Sequence, residues 1–218
     1  VAHKKRIRRE HFKLVSMRDC HGVPVVLSVD PGQGDRPSAS YNVIQAWAQV
    51  EGNNYLLLDQ WREQCGYREL QSAFWRFVRR FRPAACIIEK TANGPALIDE
   101  ARRKNWLKVI PIIPDGRSKT ARLVAHVDTI RKGRIQLPVL ATWLEDYIAE
   151  FVEFPRGRND DQVDATTQYL DYMITNPNLV LPPSRAIVAF GNERTRSVAQ
   201  FLNRLDLQKI GPVTRHYR

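Results

Sequence analysis

Residues 24–40 read PVVLSVDPGQGDRPSAS. A β-branched apolar run, Val25 to Val29, ends on Asp30, and a Gly/Pro/Asp/Ser loop follows. Such a run predicts a strand buried on both faces. Asp30 then stands at a strand terminus, where sites in layered α/β sheets usually form. Residues 41–50 and 54–59 read as two further strands joined at Glu51-Gly52-Asn53, which makes an antiparallel meander. The pattern then turns helical. Leu70, Phe74, Phe77, Val78 and Phe81 share one face, with Arg76, Arg79 and Arg80 on the solvated one, up to Arg82-Pro83. Residues 84–89 (AACIIE) form a fourth strand, ended by Glu89 as the first is ended by Asp30. Gly94-Pro95 opens a helix. Residues 107–113 make a fifth strand, and Ser118 caps a helix that Gly133 closes. Leu140, Trp143, Leu144, Tyr147, Ile148 and Phe151 fall on one helical stripe, and residues 160–174 form the last helix. The order β-β-β-α-β-α-β followed by helices is an α/β layered plan.

The acids carry the chemistry. A strand end is where any chain turns polar, so either Asp30 or Glu89 alone is unremarkable. Two acids ending two apolar strands are a sharper signal, because parallel neighbouring strands would aim both into one crevice. In Asn159-Asp160-Asp161-Gln162-Val163-Asp164, two acid pairs share a helix face. Complementarity with the helix N-terminus accounts for Asp160 and Asp161. It accounts less well for Asp164, one turn in and among apolar neighbours, with no Lys or Arg three or four residues away. A cation is the natural compensation. All-carboxylate ligands select Mg2+ or Mn2+ over zinc. Two such ions about 4 Å apart clamp a phosphodiester during in-line displacement.

Three segments, LSVDPGQGDRPSAS, ACIIEKTANGPALIDEARR and GRNDDQVDATTQYL, resemble the C-terminal nuclease domain of the phage terminase large subunit. A fourth, IIPDGRSKTARLVAHVDTIRKGRIQLP, resembles the family's stretch in which a Lys and an Arg open a helix that leads to a short strand. The resemblance spans about residues 24–174. It implies a ribonuclease H-like mixed sheet, a meander plus parallel crossover strands, flanked by helices. It also implies a two-metal endonuclease of DNA packaging. Carried over, Asp30, Glu89 and Asp164 are catalytic, and these three with Asp161 hold two Mg2+ or Mn2+ ions. Asp160 and Lys90 lie beside them. Asn159 stands where many members have His, so no His-assisted contact is expected. The implied partners are double-stranded DNA, an ATPase domain, the portal and the small subunit; the implied location is the host cytoplasm.

The chain has 218 residues and a formal net charge of +11, which points to a polyanionic partner. That charge sits at the ends. Residues 1–19 hold seven Lys/Arg against two acids, residues 185–218 the same, and the stretch between is nearly neutral. The expected organisation is a basic arm over 1–19, the nuclease domain over 20–180 and a basic tail over 181–218. In that tail Val198, Phe201, Leu202 and Leu205 have helical spacing. Arg117, Lys119, Arg122, Arg131, Lys132 and Arg134 are placed to track a DNA backbone, and Arg156 and Arg158 to bring phosphate towards the acids. Any one of them alone reads as ordinary solvated surface. His126 reads as structural, and the tryptophans 61, 75, 106 and 143 as core or interface.

No membrane span or signal peptide is read. Three widely spaced cysteines suggest a reducing compartment rather than a disulfide scaffold. The phosphate-loop pattern GxxxxGK[ST] is absent, so no ATPase is read, and a Val start suggests a piece of something longer. The rival readings are a junction-resolvase or transposase-like nuclease of the same fold, and a non-catalytic DNA- or portal-docking module.

Overall fold

The computed structural model describes residues 7–16, 23–34, 40–50 and 53–176. After a 3-10 turn at Arg9–His11, the elements run β1 (Lys13–Val15), β2 (Val25–Asp30), β3 (Asn42–Val50), β4 (Asn54–Glu63), α1 (Tyr67–Phe81), β5 (Ala85–Glu89) and α2 (Gly94–Arg102). They continue with β6 (Val109–Ile112), α3 (Lys119–Arg131), β7 (Ile135–Pro138), α4 (Leu144–Glu153) and α5 (Asp161–Thr175). The seven strands form one mixed sheet in the order β1-β7-β4-β3-β2-β5-β6. The meander β2–β3–β4 is antiparallel, and the other pairings are parallel.

Helices cover both faces. α1 and α2 pack Leu70, Phe74, Phe77, Leu97 and Ile98 against Val25, Leu27, Val29, Ile44 and Ile88. α3, α4 and α5 pack Val127, Ile130, Tyr147, Phe151, Val163 and Tyr169 against Val26, Trp47, Leu57 and Ile87. Alternate residues of β2 therefore serve opposite layers, and its run is apolar because both faces are covered.

Three expectations change. The described part of the basic arm, residues 7–16, joins the domain. Ile7 and Phe12 are buried, and β1 pairs with β7. Basic residues at 8, 9 and 13 mask these two anchors in any periodicity count. Leu140 fits the helical stripe by spacing but is 91% exposed, since α4 starts only at Leu144 after turns from Pro138 and Ala141. Trp106 is 69% exposed, not core. The tail helix, and Asp35 and Ser38 of the first loop, lie outside the described residues.

One close approach pins the site end of the sheet. A Cβ on Gly94 would lie 2.0 Å from the Glu89 carbonyl oxygen. Only glycine lets α2 start hard against the end of β5. Gly94→Ala should therefore lower stability by about 1–3 kcal/mol, read by urea unfolding. Unchanged stability would show that β5 yields without cost.

Candidate metal centre

Strand register builds the site. Val29 pairs with Ile88 in the parallel β2–β5 ladder, so the next residues, Asp30 and Glu89, stand level. Asp30 pairs with Val43, and Val43 with Arg62. Glu89, Asp30, Val43 and Arg62 thus form one row across four strands, on the face that α5 covers.

Beneath that row, buried polar side chains peg α5 to the sheet. Ser28 donates to the Ala165 carbonyl at 2.7 Å, and Gln168 donates to Ser28 at 2.9 Å. Gln45 donates to the Gln162 carbonyl at 3.2 Å, and Gln60 to the Gln162 amide oxygen at 2.5 Å. These bonds set the rotation of α5 and so aim its first turn at the row.

The start of α5 is capped from another helix. No side chain at Asp160 caps it. Instead the buried Glu150 of α4 accepts the backbone N–H groups of Gln162 and Val163 at 2.6 and 3.2 Å, and the Gln162 amide at 2.7 Å. Arg62 stands 3.3 Å from Glu150 and lies over the Tyr41 ring. Its Nη2 pairs by charge alone, for it has no hydrogen-bond partner.

The four carboxylates at the row are electrically coupled. Burial first, then Glu89, Asp164 and Asp161 in turn, raise the Asp30 carboxyl well above the usual carboxylate range, against the pull of Lys119. Burial also raises Glu89, opposed by Arg122, and Asp164, opposed by Lys119. Asp161 rises by burial against a hydrogen bond from the Tyr41 backbone.

Two cations of α3 enter the cluster. Lys119 Nζ lies 2.5 Å from Asp160 Oδ1 and 2.6 Å from Asp164 Oδ2. Arg122 Nη2 lies 2.8 Å from Asp164 Oδ1, and its Nη1 lies 3.9 Å from Glu89. Ser118 caps α3 as expected, accepting from the Ala121 N–H. Cations in a helix's first turn oppose its dipole, so the carboxylates are what hold these two there. Burial works against the Lys119 charge, yet its bonds to Asp160 and Asp164 prevail and raise its pKa. Lys119 and Arg122 therefore face the acids, where the sequence reading has them tracking DNA. They also supply the counter-charge that Asp164 lacks within its own helix.

Other predicted residues lie apart. Lys90 is exposed and forms no ion pair among the described residues. Arg117 pairs with Asp115 and Asp171, and His126 pairs with Asp171, in keeping with a structural role. Arg131, Lys132 and Arg134 lie at the far end of α3, about 18 Å along its axis. Arg156 and Arg158 are exposed just before α5. Glu150, Arg62 and the glutamine pegs escape the sequence reading. Glu150 did leave a trace, as an acid on the apolar stripe of Tyr147, Ile148 and Phe151.

The donor set is all oxygen and suits a hard divalent ion. Among the described residues no three acidic, His or Cys groups form a ready cage; both Asp164 oxygens are held by Lys119 and Arg122.

A family model described as the terminase RNaseH-like domain matches residues 27–172. The chain belongs to that family. Solved structures place this terminase domain among large terminases in fold. The large terminase of one thermophilic bacteriophage matches with TM-score 0.59 at 13% identity, over 77% of this chain and 44% of that one. The terminase domain thus spans less than half of that relative. The large terminase nuclease of thermophilic phage G20c, solved with bound magnesium, matches with TM-score 0.55 at 12% identity, over 73% of this chain and 92% of that one. The same nuclease with bound cobalt matches with TM-score 0.54 at 13% identity, over 73% and 92%. No curated protein matches in sequence. Among the described residues no helix is long and apolar enough to cross a membrane.

Proposed function

We propose that this terminase domain is a divalent-metal-dependent endonuclease that hydrolyses phosphodiesters of concatemeric double-stranded viral DNA. The observation that carries the reading is that Asp30 and Glu89 end level across β2 and β5, while Arg122 reaches both Glu89 and Asp164 of the first turn of α5. Asp30, Glu89, Asp161 and Asp164 would hold two Mg2+ or Mn2+ ions, with Asp160 at the rim. When bound, such ions polarise the phosphate and activate water. The protein's part is positional. The β2–β5 ladder fixes the spacing of Asp30 and Glu89, and Glu150 and the glutamine pegs hold α5 over them. Arg156 and Arg158, exposed just before α5, would steer phosphates towards the acids. The G20c nuclease, solved with bound magnesium, cobalt and zinc, supports a divalent ion. The large terminases with bound ADP and ATP-gamma-S support a partner ATPase domain; portal and small-subunit contacts in the host cytoplasm belong to the same proposal by resemblance alone.

A second reading draws on the Lys119 and Arg122 pairs: a salt-bridged, non-catalytic docking module. Metal titration separates the two. A nuclease should gain thermal stability with Mn2+ at pH 7.5 and lose that gain progressively as pH falls, because protons compete for raised carboxylates. It should nick plasmid only with Mg2+ or Mn2+. A melting curve indifferent to the ion, without nicking, would leave the docking module standing.

A further inference from the structure

We propose that Lys119 is an internal cation that closes the metal centre until DNA phosphate draws it away, so that DNA binding and metal loading are coupled. The inference rests on the nuclease reading above. Lys119 Nζ is within 2.6 Å of both Asp160 and Asp164, and Arg122 takes the other Asp164 oxygen. A divalent ion bound to those carboxylates would stand about 2.0–2.6 Å from the same oxygens, in repulsive contact with the ammonium. Of the two cations, Lys119 is the one able to leave. Its side chain is 45% exposed against 15% for Arg122, which also reaches towards Glu89. It sits at the first position of α3, where the dipole disfavours it. A flexible ammonium exchanges readily between carboxylate and phosphate.

The consequence is thermodynamic. In free protein the ammonium, held also by Asp160 at the rim, competes with the ion for Asp164. Once a backbone phosphate holds the ammonium, Asp164 is released to the ion. Each ligand then strengthens the other, by the same factor in both directions. DNA-free protein would therefore bind metal about tenfold more weakly than DNA-bound protein, which damps the hydrolytic centre away from its substrate.

The test measures Mn2+ affinity directly, by the electron paramagnetic resonance of free ion, with and without an uncleavable phosphorothioate duplex. Without DNA, Lys119→Met should bind Mn2+ about tenfold more tightly than the unaltered domain, inside the range usual for coupled sites. Lys119→Arg, which keeps the charge, should stay close to the unaltered domain. Duplex should tighten Mn2+ binding about tenfold in the unaltered domain and barely in Lys119→Met. Thermal unfolding in Mn2+ verifies the fold, and Lys119→Gln should repeat the direction if the Met variant fails to fold. Equal or weaker binding by Lys119→Met, or an equal duplex effect in both, overturns the inference and leaves the nuclease reading in place. No Mn2+ binding by any form overturns both.

Discussion

Asp30→Asn should abolish metal-dependent DNA cleavage and, at the same time, make the metal-free protein more stable. Asp30 stands beside Glu89 in the row across the sheet, and three other acids raise its pKa on top of burial. Removing its charge removes an anchor for the proposed ions. A metal clamp contributes several kcal/mol to the transition state, so cleavage should fall by at least about 10³-fold at roughly 1.4 kcal/mol per decade. The stability change has the opposite sign. A carboxyl whose folded pKa lies above its unfolded value binds its proton more tightly when folded. Its favourable contribution is complete below the unfolded pKa, about 4, and is lost as pH rises through the folded value. At pH 7 the Asp30 carboxyl is therefore a destabilising group, and the neutral amide relieves it. Melting temperature should be several degrees higher for Asp30→Asn than for the unaltered domain at pH 7 without metal, and the gap should close near pH 4. Retained nicking would sink the site assignment. A lower melting point at pH 7 would show that Asp30 is compensated by a partner rather than crowded by like charges.

The same residue shows what a sequence can carry. Asp30 and Glu89 are legible because each is the only charge on a strand of otherwise buried, mainly apolar residues. The three-strand meander, five helices and the acidic start of the last helix are legible through period and capping. β1 and the anchors Ile7 and Phe12 are not, because three residues pairing along a sheet edge have no period and basic neighbours swamp two apolar side chains. The short β7 is anticipated only through the family resemblance. The direction of Lys119 and Arg122 is the deeper loss. Their place in the first turn of α3 is readable, but only the tertiary path of α3 past α5 decides whether they meet DNA or Asp164. Charge alone assigns a cation no partner. The glutamine pegs are missed for a related reason. Gln45 and Gln162 look like surface residues until the sheet and helix that bury them are brought together.

Glu150→Ala should cost more stability than any single change at the carboxylate row. Glu150 is buried, and four groups depend on it: two backbone N–H groups that begin α5, the Gln162 amide and the Arg62 guanidinium. Burial raises its pKa, opposed by the Gln162 bond and by Arg62. Truncation leaves helix N–H donors with no acceptor and a half-buried cation beside a cavity. Breaking a buried charge pair from one side costs about 3–5 kcal/mol. At about 2–4 °C per kcal/mol for a domain of this size, the melting temperature should fall by roughly 10 °C. Glu150→Gln keeps a carbonyl oxygen for the two N–H groups but turns an NH2 donor towards the Gln162 amide and Arg62, so its melting temperature should fall between those of the parent and Glu150→Ala. Urea unfolding with an unchanged m-value would assign the loss to the native state. The prediction extends to the site, because α5 carries Asp161 and Asp164 on the turn that Glu150 caps. In Glu150→Ala, Mn2+ should stabilise the domain less than it stabilises the parent, at a temperature where both are folded. A loss below about 1 kcal/mol, the worth of an ordinary cap, would mean that the glutamine pegs alone hold α5 in place and that Glu150 merely fills space beneath it.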